Sequence, residues 1–183
     1  MNNTKITLTP LEESDREQFI LDNQYAFKYG AMEEFGCRDD HFEEDGEIIS
    51  RKTIENSIDE GVAYRIRENG KIVGGLVLKI DETTKHNELE LLFVSPDVHS
   101  KGIGTGAWRE VERLYPETLV WETCTPYFET RNIHFYINKC GFHAVEFFNR
   151  FHPDPHDPET GEENSYDGEE GFDGMFRFEK HMR

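Results

Sequence analysis

The run Lys101-Gly102-Ile103-Gly104 is the part of this chain best suited to chemistry. Glycines let a main chain approach a ligand closely, and the first N–H groups of a following helix have no internal partner. With the positive end of the helix dipole, such a loop makes an anion site out of backbone. Carboxylates stand on either side of it. Glu88 and Glu90 are two apart, so on a regular strand they share a side with Leu92 and Val94. Glu122 follows roughly twenty residues after the loop, the spacing of a ribose-binding acid. The loop is not a Walker loop, because Gly-x-x-x-x-Gly-Lys-Ser/Thr is absent. It is not a full dinucleotide fingerprint either: Ala107 stands where the third glycine belongs, which only the relaxed form allows.

The loop needs elements to hold it. Residues 89–94 are apolar except Glu90 and too short for a helix between breakers, which predicts a buried strand. Pro96 ends it, since proline cannot donate to a ladder. From Ile103, the positions Ala107, Val111 and Leu114, with Trp108 and Tyr115, fall at helical spacing. Upstream, residues 6–8 read as a strand and 11–29 as a helix with Phe19, Ile20, Asn23 and Phe27 near one face. Residues 33–47 read as an acidic loop with eight carboxylates and one Arg. Ser50 caps a helix over 51–58, and Gly61 stops it. Strands 62–67 and 71–80 flank the hairpin signal Asn69-Gly70, and 81–87 is a polar turn. Downstream come a strand at 118–123, a turn from Pro126, a helix over 130–139 closed by Gly141, and a strand at 143–149. Residues 154–173 carry nine Asp or Glu and no Lys or Arg, a long solvated loop, and 175–180 close the pattern as a strand. The order is mixed α/β.

Composition narrows the function. A formal net charge of −18 disfavours binding to nucleic-acid phosphates and suits a cationic small molecule or a basic peptide, although solubility alone accounts for it equally. No apolar run approaches the roughly eighteen residues of a membrane span, and Met1-Asn2-Asn3-Thr4-Lys5 lacks the form of a signal peptide. Cys37, Cys124 and Cys140 have no metal-type spacing, which fits buried reduced thiols in a cytoplasmic protein. The run His152-Pro153-Asp154-Pro155-His156-Asp157 offers ligand types, but its prolines preclude a regular helix and no third cluster accompanies it, so no metal is expected.

Residues 89–108 closely resemble motif A of the GNAT superfamily of acyl-CoA-dependent N-acyltransferases. There a strand ending near Pro is followed by Gln/Arg-x-x-Gly-x-Gly/Ala at a helix start. Here the six positions read His99-Ser100-Lys101-Gly102-Ile103-Gly104, with His99 departing from the leading Gln/Arg. Residues 131–142 resemble motif B, whose core Tyr-x-x-x-x-Gly-Phe is met by Tyr136, Gly141 and Phe142. Two motifs in order are far more specific than either alone, and the resemblance extends over residues 62–148.

The resemblance implies a single domain over 1–183 with an acidic loop at about 152–174. Its fold would be a twisted mixed, mostly antiparallel sheet flanked by helices and splayed between its fourth and fifth strands, with acyl-CoA in the cleft. It implies an N-acetyltransferase moving an acetyl group from acetyl-CoA to a primary amine by direct attack. By the family pattern, His99, Ser100, Lys101, Gly102, Ile103, Gly104 and Thr105 hold the pyrophosphate, and main chain at Phe93 and Val94 serves the thioester oxygen and pantetheine. Lys101, Arg109, Arg131 and Lys139 are the cations near enough in sequence to offset the polyanionic coenzyme. Tyr136 is the general acid for the sulfur, unless its ring only packs. Glu88 matches a general base fourteen residues before the first loop glycine, with Glu122 a second candidate. A coenzyme-contacting Asn of many relatives is Glu129 here, and Asn132, one turn before Tyr136, is either its substitute or only a cap. A non-catalytic acyl-CoA sensor or scaffold explains motif A equally but gives Tyr136 no task. The acceptor, the acyl length and the choice between monomer and homodimer stay open.

Overall fold

The computed structural model describes residues 5–35, 46–98, 102–155 and 174–183. Cys37, His99, Ser100, Lys101 and most of both acidic loops lie outside them. The chain forms two compact units, Met1–Thr118 and Leu119–Arg183.

In the first unit, strands β1 (Ile6–Pro10), β2 (Val62–Glu68), β3 (Lys71–Lys79) and β4 (His86–Val94) pair in that order, all antiparallel. The β2–β3 hairpin turns at Asn69 and Gly70, both at positive φ (50° and 86°), the conformation a two-residue hairpin requires. Helices α1 (Arg16–Phe35) and α2 (Arg51–Glu60) pack on one face, and α3 (Ile103–Leu114) packs against β1 and β4. Ser50 caps α2 as its sequence predicts: its Oγ accepts from the Thr53 N–H at 3.0 Å. The expected first helix runs on to Phe35, past Gly30, so the start of the expected 33–47 loop is helical.

The α1/α2 face carries a packed core. Phe19, Ile20, Ile54, Ala63, Val77, Leu91 and Phe93 form one buried cluster. Phe19 and Phe93 meet edge to face at 5.1 Å. Gly75 makes that possible, because a Cβ there would collide with both rings. Arg65 lies beside them with only 1% of its side chain exposed. Its guanidinium donates to Asp15 at 2.7 and 2.9 Å and to Asp22 at 2.8 Å. It also covers the Phe19 ring at 5.1 Å. On the α3 side, Gly106 lets α3 approach β1 so closely that a Cβ would lie 2.8 Å from Ile6.

β4 starts at His86, three residues before the expected 89–94, and it is not regular. Val77 pairs with Leu91 and Leu78 with Leu89, so Glu90 is an extra residue, a bulge. The regular alternation expected for Glu88, Glu90, Leu92 and Val94 therefore fails. Glu88 pairs with Lys79, and Glu90 reaches Ser57 of α2, so both acids lie on the α1/α2 face. Leu91 and Phe93 are on that face too. Leu92 and Val94 pair with Leu76 and Gly74 on the other.

In the second unit, β7 (Met175–His181) lies between β5 (Val120–Pro126) and β6 (His143–Phe148), antiparallel to both. The expected strand at 118–123 is thus displaced to Val120–Pro126. Pro126 closes it, pairing with Met175, and opens the expected turn, its carbonyl accepting from the Glu129 N–H at 3.1 Å. The expected helix over 130–139 is one α-helical turn, α4 (Thr130–His134), which widens into a π-helical turn over Phe135–Cys140. Gly141, at φ 81°, ends it as its position predicts.

Replacing Arg65 by Ala strands two carboxylates and is expected to cost about 3 kcal/mol. The measurement is a urea unfolding curve whose midpoint falls while its slope is unchanged. A loss well under 1 kcal/mol would mean water serves Asp15 and Asp22 as well as Arg65 does.

Candidate active site

The glycine loop ends as the residues predict. Gly102, at φ 89°, is the N-cap of α3, with no side-chain cap and no acidic residue in the first turn. Nothing negative in that turn competes with an incoming anion, and the helix dipole favours one. Ile103, Ala107, Trp108 and Val111 are buried and fix α3 on its sheet. Ile103 therefore offers an anion only its main chain. Gly104 and Thr105 are half-buried in the first turn.

The two main-chain candidates on β4 differ. The Ser95 N–H donates to the Val73 carbonyl at 2.8 Å. In an antiparallel ladder successive residues direct their amide groups to opposite edges. Phe93 therefore turns its N–H and C=O toward β3, and Val94 turns its own away. Val94 directs its main-chain groups to the edge away from β3; Phe93 contributes a ring locked against Phe19.

Glu88 stands opposite Lys79 on the α1/α2 face. Its neighbour at the bulge is held firmly: Glu90 Oε1 accepts from Ser57 Oγ at 3.0 Å and faces Lys79 Nζ at 3.1 Å. Burial pulls the Lys79 ammonium down, and the hydrogen bond it donates to Glu90, with the charges of Glu90, Glu88 and Glu60, outweighs it, leaving its pKa raised. β4 rises about 3.3 Å per ladder step and the bulge leaves four steps between them, so Glu88 and Phe93 stand roughly 13 Å apart along the strand.

In the second unit Tyr136 is buried, with Phe142 and Phe178 at 5.8 and 5.9 Å. Burial pushes its phenol up to about 12, and a hydrogen bond with Thr123 on β5 holds it back from going higher. Asn132, one turn earlier, donates to Thr125 Oγ1 at 3.4 Å. Glu122 is paired: Arg177 Nη1 lies 2.9 Å from it, and Arg177 also binds Glu179 and Glu146 at 2.6 and 2.9 Å. A carboxylate in that network is poorly placed to take a proton. Thr123 was missed in the sequence; its only mark there is its place among β-formers, which says nothing of a phenol partner.

The model of the Acetyltransferase (GNAT) family matches residues 21–142. The chain belongs to the GNAT acetyltransferase family. The match takes in Glu88, the glycine loop and Tyr136, and it marks the chain as an acyltransferase. A curated relative is 45% identical over 185 residues, all of this chain and 96% of the relative: YrkN of Bacillus subtilis (strain 168), itself uncharacterized. Solved GNAT structures share the fold at low identity. The ribosomal-protein-S18-alanine N-acetyltransferase of Escherichia coli aligns with TM-score 0.64 at 14% identity, over 97% of this chain and 94% of that one. A GNAT family acetyltransferase from Elizabethkingia anophelis with acetyl-CoA bound aligns at 0.62 and 16%, over the whole of both chains. A PaiA N-acetyltransferase of Thermoplasma acidophilum in complex with coenzyme A aligns at 0.62 and 17%, over 97% of this chain and 99% of that one. The mixed, mostly antiparallel α/β fold expected from the motifs is the fold of these enzymes. Among the described residues no helix is long and apolar enough to cross a membrane.

The Tyr136 phenol titrates near 12 in the fold and near 10 in an unfolded chain. The folded state thus holds this proton more tightly; the stability this brings is complete below about pH 10 and is lost as pH rises through about 12. Urea midpoints of the wild type and Tyr136→Phe, compared at about pH 9 and about pH 11, should show the wild type losing more, on the order of 1 kcal/mol. Equal losses would mean that burial leaves the phenol as acidic as in an open chain.

Proposed function

We propose that this GNAT protein is an N-acetyltransferase that moves an acetyl group from acetyl-CoA to a primary amine, the acceptor being a cationic small molecule or a basic peptide. The observation that carries this reading is Tyr136: a buried phenol bonded to Thr123, at the motif B position, in a chain with the backbone anion loop of motif A. The acetyl-CoA and coenzyme A held by the neighbours named above support the choice of donor. The family match runs from 21 to 142, across the boundary between the two compact units, which supports one catalytic domain.

The chemistry follows from the residues. The free amine attacks the thioester carbon, a C–N bond forms, and the carbonyl oxygen takes the negative charge. Main-chain donors of β4, with Val94 the one directed away from β3, stabilise that charge. One such preorganised donor is worth about 3 kcal/mol. The C–S bond then breaks, and sulfur leaves with the electron pair. A phenol near 12 lies above a thiol at about 8.5. Full transfer from Tyr136 alone would therefore run uphill. Tyr136 donates a hydrogen bond to the sulfur and completes the transfer as the proton of the former amine becomes available. Before the attack, Glu88 takes up, through ordered water, the proton that a protonated acceptor amine must shed, since its distance along β4 is too long for direct contact. Gly102 to Thr105, with His99, Ser100 and Lys101 before them, hold the diphosphate, and Asn132 supports the coenzyme from α4. The thiols of Cys124 and Cys140 suit a cytoplasmic location.

Tyr136→Phe should lower kcat by about a hundredfold or more, the range of lost acid catalysis, while the affinity for coenzyme A stays within about twofold. Thiol release from acetyl-CoA against a panel of amines, with titration calorimetry alongside, measures both. Tight coenzyme binding with no turnover on any amine would point to a sensor or scaffold instead. The net charge of −18 predicts that raising salt weakens the apparent affinity of the acceptor. A KM for the acceptor that is flat from low to high salt would remove the case for a cationic substrate.

A further inference from the structure

Asn23 is fully buried, and neither its Nδ2 nor its Oδ1 has a hydrogen-bond partner among the described residues. A buried amide left this way destabilises the fold, and an apolar side chain of its size would serve the core better. Its place on α1 is defined from both sides. One turn before it, Phe19 packs on Phe93 at 5.1 Å. Two residues after it, the Tyr25 hydroxyl donates to Asp97 at 3.3 Å. This part of α1 therefore passes over the end of β4, from Phe93 to the turn beyond Pro96. That is the stretch on which the reading above puts the donor's thioester and arm, and the inference rests on that reading.

We propose that Asn23 is a donor-binding residue whose side-chain amide pairs with an amide of the pantetheine arm. The match is one of chemistry. An Asn side chain offers both an N–H donor and a C=O acceptor, and a trans secondary amide of pantetheine turns either its C=O or its N–H toward it, so one hydrogen bond of either sense forms. Adenine also sets a donor beside an acceptor, but the reading above puts the coenzyme's diphosphate at the glycine loop and its arm at the end of β4, so the effect of Asn23 is confined to the arm.

The test is titration calorimetry of the full chain and of Asn23→Leu with two ligands, coenzyme A and adenosine 3′,5′-diphosphate, beside thermal unfolding of both proteins. Loss of one neutral hydrogen bond weakens coenzyme A about fivefold. The adenosine diphosphate, which lacks the arm, binds both proteins alike, and Asn23→Leu is as stable as the wild type or more so. Asn23→Ala repeats the comparison should leucine prevent folding. Unchanged affinity for coenzyme A overturns the proposal and leaves a buried amide served by water. Equal weakening of both ligands, or a fall in stability with either variant, also overturns it, since Asn23 then supports the fold. Failure of turnover on every amine, with the coenzyme difference intact, overturns the enzymatic reading and keeps this one. A wild type that binds neither ligand overturns both.

Discussion

The first unit depends on a buried charge. Arg65 comes from the second strand of an antiparallel sheet and is almost wholly out of water. An isolated guanidinium could not stay there; Asp15 and Asp22 make the position tenable. Asp15 ends the short 3-10 turn before α1, and Asp22 lies within α1. One cation therefore fixes the approach and the rotation of a twenty-residue helix on its sheet. Once α1 is set, Phe19 must meet Phe93, and Gly75 must be glycine. The position of the end of β4 thus traces back to one ion pair on a strand two places away.

The bulge at Glu90 is the second constraint. An added residue turns the first half of β4 against the second, so its acids and its core residues share the helix-covered face. Ser57 and Lys79 hold the displaced carboxylate, so the irregularity is built in from the helix as well as from the ladder. The residues after the bulge present Val94's amide at the edge away from β3.

What could be read beforehand was mostly local. Asn69-Gly70, Ser50, Gly61, Gly102 and Gly141 act through the conformation or capping of their own segment, and each stands where its residue type predicts. The bulge is different. Leu89-Glu90-Leu91 alternates like any half-buried strand, and only the partner strand, with Val77 and Leu78 at fixed places, shows that one residue is extra. The widened turn at Phe135–Cys140 is likewise set by what Tyr136 and Cys140 pack against, not by helix propensity. Gly30 signals a stop that tertiary contacts override. For the site, residue types in motif spacing named Tyr136 and the loop, whereas the Thr123 contact and the engagement of Glu122 by Arg177 arise between separate elements that only the tertiary fold brings together.

The late position of β7 has a consequence for biosynthesis. β5 and β6 do not touch as neighbours; both wait for a strand that leaves the ribosome after them. Until it emerges, the ring of Tyr136 has no Phe178 to rest on, and two strand edges stand bare. The nascent chain can thus complete its amino-terminal sheet while the half bearing the phenol is still unfinished, a window in which chaperones would find their binding surface.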